Sequence, residues 1–437
     1  MLFAICSQCA LVQIGSREVN KKMAEYGCIG KKLTHSFSKE IHSRLADYEY
    51  ELIELQEDEI EEFFKEKNFN AINVTIPYKQ TVIPYLDSLS DVAKRIGAVN
   101  TIINKNGSLY GYNTDYYGMK ALAQKSGVEI KGKKVLILGT GGTSKTACVL
   151  SEDMGASEII TVSRKKSENH ITYEEAVKEH SDAEVIINTT PSGMYPDCDS
   201  QPIDISAFGR LEGVLDAVYN PLCTNLVMNA KKRGIKAENG LYMLVMQAVV
   251  AVEKFLGKEI SKTVADGVFA DVLSSKENVV LTGMPGSGKS TVGKLLDIEG
   301  FSFIDTDEEI EKRCGCTVKE LINGKGEKYF RDLETEVIKD VSSEGCRIIS
   351  TGGGAVLREE NVTALRRNGK IFFIDANPDR LCPTDDRPLS DTSEKLRHIY
   401  NERINIYKAT ADVVVPDTAT PEEEADFILR MRTELIK

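Results

Sequence analysis

The stretch 283-GMPGSGKST-291 brackets a loop between Gly283 and Gly288 and ends it in Lys289 and Ser290, directly after the apolar run VVL at 279–281. Gly-x-x-x-x-Gly-Lys-Ser between a strand and a helix is a P-loop: backbone amides cradle phosphates, the lysine reaches β and γ oxygens, and the serine hydroxyl meets magnesium. A second glycine turn, 139-GTGGTSKTA-147, follows VLIL at 135–138. Its pattern, Gly139-x-Gly141-x-x-Ser144, is that of a dinucleotide turn with serine in place of the third glycine. Two nucleotide sites of different kinds in one chain imply two separate chemistries.

The 437 residues exceed one ordinary core, since a domain takes roughly 100 to 200 residues. A net charge of −12 with no long block of Lys and Arg argues against nucleic acid or an anionic membrane as partner. Among ten cysteines, Cys6 and Cys9 and then Cys314 and Cys316 form close pairs, without a second pair or histidine at zinc spacing. Reduced thiols and a cytoplasmic location are the expectation. The apolar run MLVMQAVVAV at 243–252 is far short of the ~20 residues that span a bilayer. Residues 1–22 are expected to be a non-native or disordered extension. REVNKKM at 17–23 reads as the in-frame translation of a purine-rich ribosome-binding site ahead of a start at Met23.

From 26 to 120, short apolar runs such as YGCIG (26–30) and AINVTI (71–76) alternate with acidic helical stretches such as EDEIEEFFKEK (57–67). That rhythm is α/β. The expected division is an α/β substrate domain over 23–120, completed by a helical segment at 246–272, and a Rossmann domain over 121–245. A polar linker at 273–278 then leads to a P-loop domain with a parallel sheet over 279–437.

Gly139, Thr140, Gly141, Gly142 and Thr143 form the turn whose free amides and helix N-terminus receive a pyrophosphate. The next strand ends in Ser163, Arg164 and Lys165, where an NAD site would place an acid. A charge-assisted contact of roughly 1.5–3 kcal/mol from Arg164 to a 2′-phosphate favours NADP by roughly ten- to a hundredfold.

The segments THSFSKEIH (34–42), NVTIPYK (73–79), GAVNT (97–101) and GYNTDYYG (111–118) each end a strand or begin a turn. With the glycine turn, INTTPSGM (187–194), DAVYNPLCT (216–224) and NGLYMLVMQA (239–248), they resemble shikimate dehydrogenase across residues 26 to about 272. The resemblance implies two domains around a cleft. Ser36 and Ser38, helped by Tyr219, would meet the substrate carboxylate, and Thr75, Asn100, Asp115 and Gln247 the ring hydroxyls. Lys79 and Asp115 match the catalytic pair, and Ala217, Gly240 and Met243 fall at the nicotinamide end of NADP(H). Hydride delivery to a ketone leaves charge on oxygen that asks for a proton donor such as Lys79. Lys39 stands where that family usually has proline.

In the last domain, FIDTDEEIE puts Asp305 and Asp307 two apart at a strand end, so both should point to one side. YFRDLE sets Arg331 and Glu334 on one helix face, IISTGGGAV empties a strand into Gly352–Gly354, and ERINIYKATAD spaces Arg403 and Tyr407 by four. With DRLCPTDDRPLS, which carries Arg380 and Arg387, this ordered set over 279 to about 432 resembles shikimate kinase, a P-loop kinase with a lid. The resemblance implies that Asp307, Arg331, Gly353 and Arg403 bind shikimate, with Asp307 accepting the hydroxyl proton. Gly286, Ser287, Gly288, Lys289, Ser290, Thr291, Arg380 and Arg387 would hold ATP, and Ser290 and Asp305 Mg2+. Lys408 stands where the family commonly has an acid and Ser390 where it has leucine.

The expectation is a bifunctional enzyme: NADPH reduces 3-dehydroshikimate to shikimate, and ATP then phosphorylates shikimate. Two rivals are a quinate/shikimate dehydrogenase using NAD and a metabolite-sensing regulator built on the same folds. The regulator would lack catalytic residues or carry a DNA-binding segment.

Overall fold

The structure is a computed structural model that describes residues 25–33, 37–377, 379, 381, 393–417 and 420–436. The expectations for residues 1–22 and the start at Met23, for Ser36, and for Arg380, Arg387 and Ser390 lie outside these residues.

Three sheets follow one another along the chain. The first contains β1 (Tyr26–Gly30), β2 (Tyr50–Glu54), β3 (Ala71–Val74), β4 (Ser88–Leu89), β5 (Thr101–Lys105) and β6 (Ser108–Tyr112), in the order β2-β1-β3-β5-β6-β4. It is mixed: β1 runs parallel to β2 and β3, whereas β5 is antiparallel to β3 and β6. Apolar residues Ile29, Ile72, Val74 and Ile102 pack with Phe63, Phe64 and Phe69 from the helical side.

The second sheet is wholly parallel, with β7 (Lys134–Leu138), β8 (Glu158–Ser163), β9 (Ile171–Thr172), β10 (Val185–Asn188), β11 (Gly213–Asp216) and β12 (Lys236–Glu238) in the order β12-β11-β10-β7-β8-β9. Strand order reverses beside β7, and the glycine turn lies at that switch point, where open α/β sheets bind ligands. The third sheet, also parallel, holds β13 (Asn278–Gly283), β14 (Ser302–Asp305), β15 (Arg347–Ser350), β16 (Gly369–Asp375) and β17 (Val413–Pro416) in the order β14-β15-β13-β16-β17. Its central strand β13 is buried along its whole length, as a strand covered by helices on both faces must be.

The helix Leu241–Leu256 crosses the boundary expected at 245/246 as one uninterrupted element. It packs along the helix Asp115–Ser126 so closely that a Cβ on Gly118 would lie 2.4 Å from the Met243 carbonyl oxygen. The expected linker at 273–278 needs correction. Ser274, Ser275 and Lys276 form the last turn of the helix Lys262–Lys276, Glu277 follows, and Asn278 already begins β13. The polar composition that suggested a linker is that of a helix end lying against the last domain. There Cys346 Sγ donates to the Ser275 carbonyl at 2.8 Å, and a Cβ on Gly345 would lie 2.2 Å from the Lys276 carbonyl oxygen.

Candidate active sites

Strand ends supply the first site. Lys79 follows β3 by five residues and Asp115 opens the helix Asp115–Ser126 just after β6. The Lys79 ammonium donates to Asp115 Oδ2 at 2.5 Å, with the two side chains 19% and 12% exposed. Asn100, buried at the entry to β5, donates from Nδ2 to Asp115 Oδ1 at 2.9 Å and accepts the Thr114 amide at 2.7 Å. Thr114 Oγ1 donates to Gln247 Oε1 at 3.3 Å, which ties the late helix to the same cluster. A partly exposed ammonium held by a carboxylate that is itself fixed by Asn100 can deliver a proton to an oxygen gaining charge.

Lys79 lines a cleft of about 1250 Å³ whose far wall is Gly139–Thr143, Ser163 and Arg164. Gly139 has φ 110°, and a Cβ there would meet Thr189 Oγ1 at 2.7 Å, so only glycine lets the turn leave β7 at this angle. The helix Gly142–Asp153 starts on the turn and presents its free amides to the cleft. Ser144, in the place of a third glycine, is buried within that helix. Ala217 and Gly240 touch each other, so that a Cβ on Gly240 would lie 2.3 Å from the Ala217 carbonyl oxygen, and neither lines the cleft.

The second site of about 580 Å³ gathers Gly286, Gly288–Thr291, Asp305, Asp307, Arg331, Glu334, Gly352–Gly354 and Arg403. Ser290 Oγ donates to Asp305 Oδ2 at 2.6 Å and lies 3.2 Å from Ser350 Oγ. This cluster of oxygen donors suits a hard divalent cation. Lys289 Nζ donates to the carbonyls of Gly283 and Met284 at 3.1 and 2.8 Å. Arg331 pairs with Glu334 at 2.9 Å and Glu327 at 3.3 Å. Burial pushes the Glu334 carboxyl above its ordinary range, against the pull of Arg331. Arg403 donates to the Gly353 carbonyl at 3.1 Å; the Tyr407 hydroxyl donates to the same carbonyl, and the Tyr407 ring stacks on Phe373. Cβ atoms on Gly352 and Gly353 would lie 2.7 Å from Asp307 Oδ1 and Pro285 Cδ respectively, so this glycine run has to be bare to lie between the P-loop and the carboxylates.

The shikimate dehydrogenase (NADP(+)) of Clostridium perfringens strain SM101 is 38% identical over 268 residues, which span 57% of this chain and 98% of that protein. The chain belongs to the shikimate dehydrogenase family. The model of the shikimate dehydrogenase substrate binding domain matches residues 28–102, and that of shikimate kinase matches residues 285–432. The crystal structure of shikimate dehydrogenase 1 from Peptoclostridium difficile is similar at 35% identity and TM-score 0.53, covering 57% of this chain and 98% of that one. That of shikimate 5-dehydrogenase from Thermus thermophilus in complex with NADP(H) and shikimate is similar at 25% identity and TM-score 0.51, covering 57% and 99%. The chain is thus a fusion of two shikimate-pathway domains, an oxidoreductase followed by a phosphotransferase.

In the dehydrogenase half the structure brings Lys79, Asp115, Asn100 and Gln247 into one network, and Ser163 and Arg164 onto the cleft. Lys165 does not line the cleft; its amide donates to Ser163 Oγ, while Lys166 pairs with Glu175. Thr75 follows β3, its amide donating to the Ile29 carbonyl at 2.9 Å. Ser38 opens the helix Ser38–Leu45, with Lys39 exposed on its first turn, and Tyr219 packs its ring against Phe37 at 5.3 Å. Met243 is buried in the seam with Gly118.

In the kinase half the argument for Asp305 and Asp307 needs correction. β14 ends at Asp305, and Asp307 lies in the first turn of the helix Thr306–Cys314, so strand alternation does not align them. Both reach the site because Asp305 caps that helix, accepting the Asp307 amide at 3.0 Å. Lys408 pairs with Asp375 at 3.3 Å, so a cation at that position finds its acid on β16. Ser287, within the P-loop, turns its side chain into the interior and does not line the site.

Sequence reasoning missed the wall at Thr189–Ser192 and Met194–Pro196. Their signal was available, because INTTPSGM leaves a fully buried strand at the carboxyl edge of the dinucleotide sheet, where ligands bind. It also missed the buried Asp216. This residue accepts from Asn188 Nδ2 (2.9 Å), the Val218 amide (3.0 Å) and Thr224 Oγ1 (2.7 Å), and burial pushes its carboxyl up to about 6.

Proposed function

We propose that the chain catalyses two consecutive steps: NADPH-dependent reduction of 3-dehydroshikimate to shikimate, then ATP- and Mg2+-dependent phosphorylation of shikimate to shikimate 3-phosphate. Bound in their sites, NADPH supplies the hydride, ATP the phosphoryl group, and Mg2+ positive charge beside the phosphates. The observation that carries the first step is Lys79, which pairs with Asp115 while facing the cleft of the glycine turn. Lys79 donates its Nζ proton to the ketone oxygen, and Asp115 and Asn100 fix the direction of that donation. Ser36, Ser38 and Tyr219 hold the carboxylate, while Thr75, Asn100 and Gln247 hold ring hydroxyls. Arg164 on the cleft wall favours the 2′-phosphate of NADP over NAD. The reductive direction fits the fusion, because its product is the acid that the second site consumes.

In the second half Arg331 and Arg403 grip the carboxylate, and Asp307 accepts the hydroxyl proton. Lys289 and Arg387 would offset phosphate charge, and Arg380 would meet the adenine. Ser290 and Asp305 would hold Mg2+, a role their oxygen atoms fit. The partners are small acids, and the proposed location is the cytoplasm; among the described residues no helix is long and apolar enough to cross a membrane.

Separate assays test both steps: oxidation of shikimate and of quinate with NADP+ and NAD+, and ATP-dependent phosphorylation of shikimate. The expected result is activity in each half, with shikimate and NADP+ preferred in the first. A chain inert toward shikimate in both assays overturns the reading.

A further inference from the structure

Two neighbouring loops lie between the dinucleotide cleft and the last domain, one lining the cleft and the other bonded to the first. One, 189–202, supplies much of the cleft wall, including Met194, Tyr195 and Gln201. The other, 217–224, begins at Ala217 and carries Tyr219. They are joined to each other, because the Tyr195 amide donates to the Asn220 carbonyl at 3.0 Å.

Both loops are also fastened to the kinase half, at the C-terminal end of the helix Glu359–Asn368. Asn368 Oδ1 accepts the Leu222 amide at 2.8 Å, and the Arg367 carbonyl accepts the Cys223 amide at 2.8 Å. The last carbonyls of a helix have no partner within it, so the Arg367 carbonyl is available to the Cys223 amide, while the Asn368 side chain takes the amide before it. Asn368 is itself fixed: it is buried, and its Nδ2 donates to the Ser342 and Ser343 carbonyls at 3.0 and 2.9 Å. The Arg367 guanidinium pairs with Asp199 and reaches Asn225 Oδ1 at 3.4 Å, while Asn225 Nδ2 donates to the Asp199 carbonyl at 3.0 Å. Arg367 therefore holds both loops, the first through its guanidinium and the second through its carbonyl. Buried amides need partners, and the kinase half supplies them here.

We propose that Arg367 and Asn368 of the kinase half are positioning residues for the dehydrogenase, setting the loop that walls its cofactor cleft and the loop bonded to it. Neither lines the kinase's own site. The proposal rests on the reading of the cleft as an NADP site. It makes the fusion an architectural dependence: the dehydrogenase half takes its competent loop geometry from its neighbour.

The test uses the full chain with Arg367→Ala, Arg367→Lys and Asn368→Ala, and with Asp199→Lys, a change at an exposed side chain that breaks the same contact from the other side. Steady-state kinetics of both halves are measured, together with amide hydrogen exchange at residues 217–224. The expected result is a rise in KM for NADP+ of about five- to twentyfold in the alanine and Asp199 variants, larger than the change in kcat. Kinase kcat/KM should stay within about twofold, Arg367→Lys should recover most of the loss, and exchange at Leu222 and Cys223 should quicken in Asn368→Ala. An unchanged KM in Asp199→Lys and Arg367→Ala, or unchanged exchange at those two amides, overturns it, as does a fall in kinase activity parallel to that of the dehydrogenase. A wild-type chain with no NADP-dependent activity would sink the functional reading alone, since exchange at residues 217–224 still judges the contact.

Discussion

The Lys79 ammonium stands 2.5 Å from Asp115 Oδ2, and the same carboxylate receives Asn100 on its other oxygen at 2.9 Å. The lysine is thus aimed while its partner is held by a third residue. Replacing Lys79 with alanine is expected to lower the hydride-transfer rate by roughly 10²- to 10⁴-fold and to leave shikimate kinase activity intact. Single-turnover measurement of NADPH oxidation checks this; a near-unchanged rate removes Lys79 from the mechanism.

Arg164 faces the cleft at the end of β8, in the place where an NAD site carries an acid. Arg164→Ala should lower kcat/KM for NADP+ by roughly ten- to a hundredfold while changing that for NAD+ little. Comparing the two cofactors under identical conditions is decisive, and an equal loss with both would assign Arg164 a structural role instead.

Glu334 is fully buried, and its Oε1 has no hydrogen-bond partner, so its charge is balanced chiefly by Arg331. Arg331→Ala removes the counter-ion and should destabilise the kinase half by about 3–5 kcal/mol, besides weakening shikimate binding. Arg331→Lys keeps a charge but not the planar fork, so binding should suffer more than stability. Thermal melting alongside the shikimate KM separates the two effects.

Burial raises the Asp216 carboxyl from 3.8 to about 6. A raised folded-state value means that the protonated form is the one favoured by the fold. The stabilisation is complete below the unfolded value and is lost as pH climbs through about 6, a swing of about 2–3 kcal/mol. Asp216→Asn, neutral at every pH, should therefore gain stability relative to the parent between pH 4 and 7 by roughly that amount. Denaturant midpoints across this range measure it; a constant difference would mean that Asp216 keeps its ordinary affinity for protons.

Local chemistry made the two nucleotide turns readable in the sequence, because each needs glycines where the backbone takes a positive φ or meets another chain segment. Gly139 at φ 110° and Gly288 at φ 85° are such places. The helix-turn spacing of Arg331 and Glu334, and of Arg403 and Tyr407, was legible for the same reason: a helix fixes which residues share a face. The meeting of Asp305 with Asp307 was legible as an outcome but not as a cause, since a helix cap and not strand alternation brings it about.

Tertiary packing decided the rest. Nothing near Asn368 in sequence points to Leu222, and the polar run at 273–278 has the composition of a loop although packing against the last domain keeps most of it helical. A short motif carries its own geometry because neighbouring residues constrain one another directly. A contact between Asn368 and Leu222 exists only after three cores have formed and left particular amides and carbonyls facing each other, and no local pattern encodes that.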